Sequence, residues 1–303
     1  RCTAHDHWRT VRACANGAAY WHDQPARRGP GSKKSASSLV GSAVSRLIVW
    51  WDGDADGALN MSADECLAIH SQRCNDFLVR VYGWTETTVS IGAFQKHEDL
   101  VGFQALHGVP IVRRPSGGGA IVHGSDLTYA ASVPKKHILG SKPQLFYDVL
   151  HKAMVDVLCE YGVAAAMHRL EEDNNLSRPE ESFFCFDRRA VGDVVTSSHP
   201  TSFKLMGSSQ RRLEQTVLQH GSLLLRRNPD TPSLARHIGV TDLLGESPEW
   251  IDCTVLSHRW LERVAENIQA TLVQNSGSFA QTHGQEIALA AARFRDKAWI
   301  KRR

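Results

Sequence analysis

The chain of 303 residues is long enough for one large domain or two small ones, and with 42% apolar and 22% charged residues it has the composition of a globular protein. A net charge of +3 beside fifteen histidines is too weak to indicate nucleic acid, although it suits an acidic protein partner. No run approaches the roughly 20 apolar residues that cross a bilayer, so the expectation is no membrane and a cytoplasmic location. Seven cysteines (Cys2, Cys14, Cys66, Cys74, Cys159, Cys185 and Cys253) are odd in number and form no C-x-x-C pair. That usage indicates a reducing compartment, free thiols and no metal site.

Residues 1–44 carry no hydrophobic period and almost no acid, and Arg27-Arg28-Gly29-Pro30-Gly31-Ser32-Lys33-Lys34-Ser35 predicts a poorly ordered tail. Its Arg- and Ser-rich start also mimics a transit peptide. Cys2, His5, His7, Cys14 and His22 have a spacing that fits no standard zinc site. One folded domain is expected over residues 45–303. It opens with a strand at Arg46–Trp51, a loop at Gly53–Gly57 and a helix from about Leu59 to Asn75 with Met61, Cys66, Leu67 and Ile69 as its apolar positions. Asp64 and Glu65 read as solvated acids of that helix. A strand follows at Phe77–Tyr82, then the segment Val89–Gln95, and a short helix at His97–His107. Trp84, between them, is a candidate for the core or for packing on a ligand.

The most informative stretch comes next: Ile111-Val112-Arg113-Arg114-Pro115-Ser116-Gly117-Gly118-Gly119-Ala120-Ile121-Val122-His123-Gly124-Ser125-Asp126-Leu127-Thr128-Tyr129. Apolar pairs on both sides of three glycines predict strand, tight turn, strand. Glycine backbone admits a ligand against bare peptide, and successive N–H groups can grip an oxyanion. The arginines suit a phosphate fork. The plainer reading, a glycine hairpin with solvated arginines, stays open. No Lys-Ser/Thr follows the glycines and no helix signal follows them, which excludes a Walker loop and a dinucleotide fingerprint.

Beyond it, Asp126–Val133 predicts a strand stopped by Pro134, and Gln144–Tyr161 a helix closed by Gly162. Residues 164–181 read as a polar surface loop. Three blocks then stand in order: Ser182-Phe183-Phe184-Cys185-Phe186-Asp187, Phe203-Lys204-Leu205-Met206-Gly207-Ser208-Ser209-Gln210-Arg211-Arg212 and Val217-Leu218-Gln219-His220-Gly221-Ser222-Leu223-Leu224-Leu225. The remainder has helical faces over Arg259–Val273 and Glu286–Arg295, and no additional domain of about a hundred residues is read after them. From residue types alone, Cys185 is either an inert buried thiol or a nucleophile. A thiol is mostly protonated at neutral pH, and a cation beside it raises the thiolate fraction. Lys204, flanked by Phe203 and Leu205 and so read as a strand residue, is the candidate cation. His123 and His220 are either packing residues or proton relays.

The glycine stretch resembles the signature R-R-x-[ST]-G-G-G-A-x-x-H-x-x-[ED]-L-T-Y of the lipoate-protein ligase and octanoyltransferase family. Asn60-Met61 with Asp64-Glu65, Trp84 with Ser90, Gly92 and Gln95, Cys185-Phe186, Lys204-x-x-Gly207-Ser208, Gln219-His220-Gly221-Ser222 and Phe294 with Trp299 resemble further blocks of the family, in its order. The resemblance implies an α/β fold with a mixed sheet flanked by helices, of the biotin/lipoate-protein ligase catalytic-domain type. It implies acyl binding by Arg114, Gly117, Gly118, Gly119, Ala120, Ile121, Val122, His123, Gly207, Ser208, His220 and Gly221, with Cys185 and Lys204 catalytic. Within the family it points to the cysteine-dependent, ligase-like octanoyltransferases, because ATP-using ligases lack this cysteine. The implied reaction moves octanoyl from acyl carrier protein, through a Cys185 thioester, to a lysine of a lipoyl domain (a glycine-cleavage H protein or an E2 subunit), with no cofactor and no metal. An ATP- and magnesium-dependent lipoate ligase and an octanoyl amidotransferase acting between lipoyl domains are the alternatives. One departure is a longer interval between Cys185 and Lys204, with Thr196–Ser202 as the expected insertion.

Overall fold

The computed structural model of the chain describes residues 46–74, 76–169, 182–197, 202–232, 237–244 and 252–303. The expected N-terminal tail, its scattered Cys and His residues, and most of the two polar segments at 170–181 and 198–201 lie outside the described residues. In chain order the strands are β1 (Arg46–Ala55), β2 (Phe77–Trp84), β3 (Thr88–Ile91), β4 (Ile111–Arg113), β5 (Ile121–His123), β6 (Asp126–Pro134), β7 (Ala165–Met167), β8 (Val194–Thr196), β9 (Lys204–Arg212), β10 (Thr216–Leu224) and β11 (Thr271–Gln274). The helices are α1 (Gly57–Arg73), α2 (Ile138–Ser141), α3 (Pro143–Glu160), α4 (Val240–Leu243), α5 (Cys253–Asn267), α6 (Phe279–Thr282), α7 (Gly284–Arg295) and α8 (Lys297–Ile300).

Eight strands form one mixed sheet in the order β11-β1-β2-β6-β10-β9-β8-β7, and β4-β3-β5 form a smaller one. β1 runs parallel to both β11 and β2, while β6, β10 and β9 pair antiparallel. Alternation along each strand splits the side chains between two faces. Phe77, Val79 and Val81 of β2, Tyr129 of β6 and Val217 of β10 join α3 and α5 in one core cluster, where Phe146, Leu150 and Trp260 are fully buried. Leu78 and Tyr82 of β2, Ala130 of β6 and Leu218 of β10 join α1, α6 and α7 in a second cluster. The fold is therefore the expected mixed α/β sheet flanked by helices. Among the described residues no helix is long and apolar enough to cross a membrane.

Local chemistry sets the helix limits. Asp56 caps α1 by accepting from Leu59 N at 2.8 Å, so the helix starts before Leu59. Pro143 opens α3, and Gly162, at φ 83°, turns the chain out of it. Four expectations need correction. The expected loop at Gly53–Gly57 is largely strand, because β1 resumes pairing with β2 after an irregularity between Trp51 and Asp54. Ile69 points outward, 48% exposed. Ala165–Met167, read as loop, is an edge strand paired with β8. The helix expected to reach Val273 ends at Asn267, where Gln269 takes φ 56°, and Thr271–Gln274 turns into a strand beside β1.

Candidate active site

Cys185 starts a single 3-10 turn, Cys185–Asp187, tied to the glycine segment by backbone hydrogen bonds. Cys185 N donates to Ala120 O at 2.8 Å and Ala120 N donates to Phe183 O at 2.9 Å, a parallel bridge between Ala120 and Phe184. This approach requires Gly119, since a Cβ there would lie 2.7 Å from Cys185 N. Gly119 thus brings the Cys185 backbone to the hairpin, a task as concrete as leaving room for a ligand.

Lys204 begins β9, and its ammonium reaches the same place. Its Nζ lies 3.5 Å from Cys185 Sγ and 3.4 Å from Cys185 O, and it donates to Asp193 Oδ2 at 2.8 Å. Lys204 is 4% and Asp193 1% exposed. Burial opposes the lysine's charge most strongly, but Cys185 and Asp193 more than offset it, so its pKa is raised above the ordinary value and the ammonium stays protonated. Asp193 is fixed in turn by Tyr147 OH at 2.6 Å and by Ala190 N at 2.7 Å. The interval containing Thr196–Ser202 does not disturb this geometry, because β8 and β9 pair on both sides of it.

The thiol opens onto a pocket of about 470 Å³, part of it open to solvent, on the α1 side of the sheet. Met61, Tyr82, Trp84 and Ile121 supply apolar wall, and Gly118, Gly207 and Gly221 bring bare backbone to it. Trp84 is both core and wall. Its Nε1 donates to Thr128 Oγ1 at 2.9 Å, and its ring stacks on His123 at 3.9 Å. His123 is locked between Asp126 Oδ2 at 2.8 Å and Ser90 Oγ at 2.7 Å, so both ring nitrogens are occupied. Burial works against the Asp126 carboxylate, yet His123 and the Thr128 and Ser222 hydroxyls hold its pKa below the usual value. His220 is held likewise, by Asp64 Oδ2 at 2.9 Å and by Ser116 Oγ. Both histidines are braced on two sides within the pocket wall.

Asp64 overturns the reading of α1's acids. It is fully buried and accepts from Arg80 Nη1 at 2.7 Å, from Tyr82 OH at 3.0 Å and from the His220 ring. Arg80, 1% exposed, also binds Asp52 at 2.7 Å. Glu65 alone matches the surface expectation, bridging Arg211 and Arg293.

The arginines of the signature are not a phosphate fork. Arg114 turns inward, donating to Ser90 O and Ser90 Oγ at 2.6 Å and to Gly119 O at 2.7 Å, and burial pushes its pKa down to about 10, where it remains a cation at neutral pH. Arg113 donates to Ile300 O at 2.8 Å, Gly92 O at 2.8 Å and Gln95 O at 2.7 Å. Unmade bonds from buried carbonyls are costly, and these guanidinium groups satisfy the carbonyls of an irregular turn.

Of the residues expected at the site, Arg114, Gly118, Ile121, His123, Cys185, Gly207, Ser208, His220 and Gly221 line the pocket. Lys204 lies across Gly207, where a Cβ would be 2.6 Å from Nζ. Gly117 faces Phe94, Gly119 and Ala120 pack on the Cys185 backbone, and Val122 is buried in a core cluster with Val89, Ile91 and Phe184, so these four do not line it. Sequence reasoning missed Asp193, Tyr147 and Arg80. Asp193 falls in no motif, whereas Asp64 stood in the Asn-Met-x-x-Asp-Glu block, a signal that could have found it, and was read there as a solvated acid. The five cysteines among the described residues are all free.

The fold is that of a lipoyl protein ligase-type catalytic domain. The chain belongs to the lipoyl protein ligase A/B catalytic domain family, whose model matches residues 56–238, more than half of it. Curated relatives named octanoyltransferase LipM include those of Kyrpidia tusciae, 36% identical over 185 residues, and Bacillus subtilis, 32% identical over 184 residues, each match covering 59% of this chain and 65% of the relative. The chain thus spans just under two thirds of these relatives. The LipM octanoyltransferase of Macrococcus caseolyticus is 26% identical over 268 residues, covering 80% of this chain and 94% of the relative. Among solved structures, lipoate-protein ligase A bound with ATP superposes with a TM-score of 0.64 at 18% identity, covering 85% of this chain and 98% of that one. A bipartite lipoate protein ligase from Thermoplasma acidophilum gives 0.63 at 17%, covering 86% and 96%. At these identities the structures establish the fold.

Proposed function

We propose that the protein is a cysteine acyltransferase of protein lipoylation that moves octanoyl from a carrier-protein thioester to a lysine of a lipoyl domain. The observation that carries this is the Cys185 thiol 3.5 Å from a buried, protonated Lys204 on the wall of a pocket with apolar lining. The Cys185 thiolate attacks the thioester carbonyl, the donor's sulfur leaves as a thiolate that takes a proton, and octanoyl remains on Cys185. The acceptor amine then attacks this new thioester, forms the amide with loss of a proton, and releases the Cys185 sulfur. Lys204 donates to the carbonyl oxygen as negative charge grows there, and Asp193 keeps that ammonium in place. The octanoyl chain lies along Trp84, Tyr82, Met61 and Ile121. The thioester carries its own activation, so the reaction as proposed uses neither nucleotide nor metal. The names of the curated relatives support the reading.

The test is intact mass after mixing the protein with octanoyl-carrier protein in EDTA without ATP. One octanoyl mass should be added, hydroxylamine should remove it, and a lipoyl domain should accept it. Cys185→Ala should abolish the adduct. Labelling that survives in Cys185→Ala overturns the assignment of the nucleophile. Modification of the lipoyl domain only with free octanoate or lipoate, ATP and magnesium establishes a ligase instead.

A further inference from the structure

Beside the glycine turn several arginines converge, three of them (Arg293, Arg302 and Arg303) beyond the stretch matched by the family model. Arg211 leaves the end of β9, Arg293 the end of α7, and Arg302 and Arg303 follow α8. Their proximity is electrostatically visible: the Arg302 pKa is lowered first by burial and then by Arg211, Arg303 and Arg293, and that of Arg113 beneath them by burial and then by Arg302 and Arg303. Arg302 stacks on Trp299 at 3.7 Å with Arg293 on the same ring at 4.6 Å, and Arg303 lies 5.4 Å from the ring of Phe94. Among the described residues the carboxylate that ion-pairs with any of these five arginines is Glu65, shared by Arg211 and Arg293. Arg113 adds a buried Nη2 that lacks an acceptor.

This surplus charge stands at the pocket's edge. Ser209 is on the pocket wall, and Arg211 is two residues further on the same face of β9. On the other side Gly118 lines the pocket, and Gly117 meets Phe94, which is 70% exposed. Gly117 to Gly119 spans at most about 7 Å, so the aromatic ring and the arginines are within reach of a flexible arm whose thioester lies at Cys185. Guanidinium groups that outnumber the one carboxylate among them, beside an exposed ring, are the chemistry of a phosphate site.

We propose that Arg211, Arg302 and Arg303 with Phe94 form the subsite for the phosphate of a phosphopantetheine thioester donor. This rests on the acyl-transfer reading and refines it, naming the part of the donor that is recognised apart from its acyl chain. Both a carrier protein and coenzyme A bear that phosphate, and the experiment separates them.

Octanoyl-pantetheine, octanoyl-4′-phosphopantetheine, octanoyl-CoA and octanoyl-carrier protein are compared as donors, by the rate of the Cys185 adduct in intact mass. Phosphate-bearing donors should exceed octanoyl-pantetheine in kcat/KM by about tenfold or more, the size expected of one charge-assisted contact, through KM. The preference should shrink at high salt. In Arg211→Gln/Arg302→Gln, whose side chains are at least partly exposed and whose melting curve checks the fold, the preference should collapse. Binding of free coenzyme A by calorimetry, lost in the same variant, reads the subsite without turnover. Coenzyme A that binds through the arginines while no donor acylates Cys185 defeats the acyl-transfer reading and leaves the subsite standing. Equal kcat/KM for donors with and without phosphate, or a preference that survives in the variant, overturns the subsite. A preference for the carrier protein over octanoyl-CoA that persists in the variant assigns the additional selectivity to protein contacts elsewhere.

Discussion

Replacing Asp193 by Asn tests the pairing on which the site depends. The carboxylate stands 2.8 Å from the Lys204 ammonium, with both groups nearly fully buried. At an effective dielectric of about 20 the gross attraction at that distance is about 6 kcal/mol. Desolvation cancels part of it, and removing one partner of such a pair typically costs about 3–5 kcal/mol because the other charge is stranded. Asn keeps the shape, and with its Oδ1 accepting from Lys204 and its Nδ2 donating to Tyr147 OH it keeps neutral contacts, but the counter-charge of the ammonium is gone. For a domain of this size that loss lowers Tm by roughly 6–20 °C. Acylation of Cys185 should fall by about 10²-fold or more, as expected when a donor to the developing oxyanion is displaced. The assay is urea denaturation together with the rate of octanoyl adduct formation, in Asp193→Asn, Lys204→Met and the double variant. Removing both charges should recover at least half of the lost stability and none of the rate. An Asp193→Asn protein with parental Tm and parental acylation would show that the ion pair neither stabilises the fold nor arms the site.

Other outcomes are as definite. Gly119→Ala places a Cβ 2.7 Å from Cys185 N and should reduce acylation about 10²-fold by displacing the thiol, whereas at Gly117 a Cβ would meet the Phe94 ring at 3.5 Å, ordinary contact, and Ala should be tolerated; equal activity of the two variants refutes the backbone contact. His151, buried between Gly192 O and Ser208 Oγ, has its pKa lowered from 6.5 to about 4, mainly by burial and further by Lys204, against the pull of Asp193. The unfolded imidazole therefore binds a proton in a window where the folded one does not, so stability should fall as pH drops from 6.5 towards 4, by about 3 kcal/mol in total. His151→Gln should flatten that slope in urea titrations at stepped pH, and a slope that persists assigns the acid loss to other groups. Trp299→Phe deletes the 3.2 Å bond from its Nε1 to Arg113 O and should cost about 1 kcal/mol in the same urea assay; no change in midpoint shows the contact to be silent.

Much of the fold and of the site was readable in the sequence where the chemistry is local. The strand–glycines–strand segment and Lys204 on a strand are each fixed by neighbours a few residues away. What was misread depends on contacts across the fold. Asp64 looked like a solvated helix acid because helical periodicity sees one partner face. α1 is packed between the sheet and α7, and Arg80, 16 residues on, neutralises the acid from β2. Arg113 and Arg114 looked like ligand donors because nothing local announces that an irregular turn has carbonyls to satisfy. Asp193 is found only through its distance to Lys204. Thr271–Gln274 continued an apolar helical pattern, and only pairing with β1 makes it a strand.

The bridge between Ala120 and Phe184 has a consequence for the position of the thiol. Because Cys185 N and the Ala120 carbonyl share a hydrogen bond, the hairpin cannot swing away from the sheet without carrying the thiol off the Lys204 ammonium. An opening of the hairpin that keeps this hydrogen bond therefore separates the thiol from the ammonium. On the acyl-transfer reading, the contact that aims the thiol also ties its position to the glycine segment.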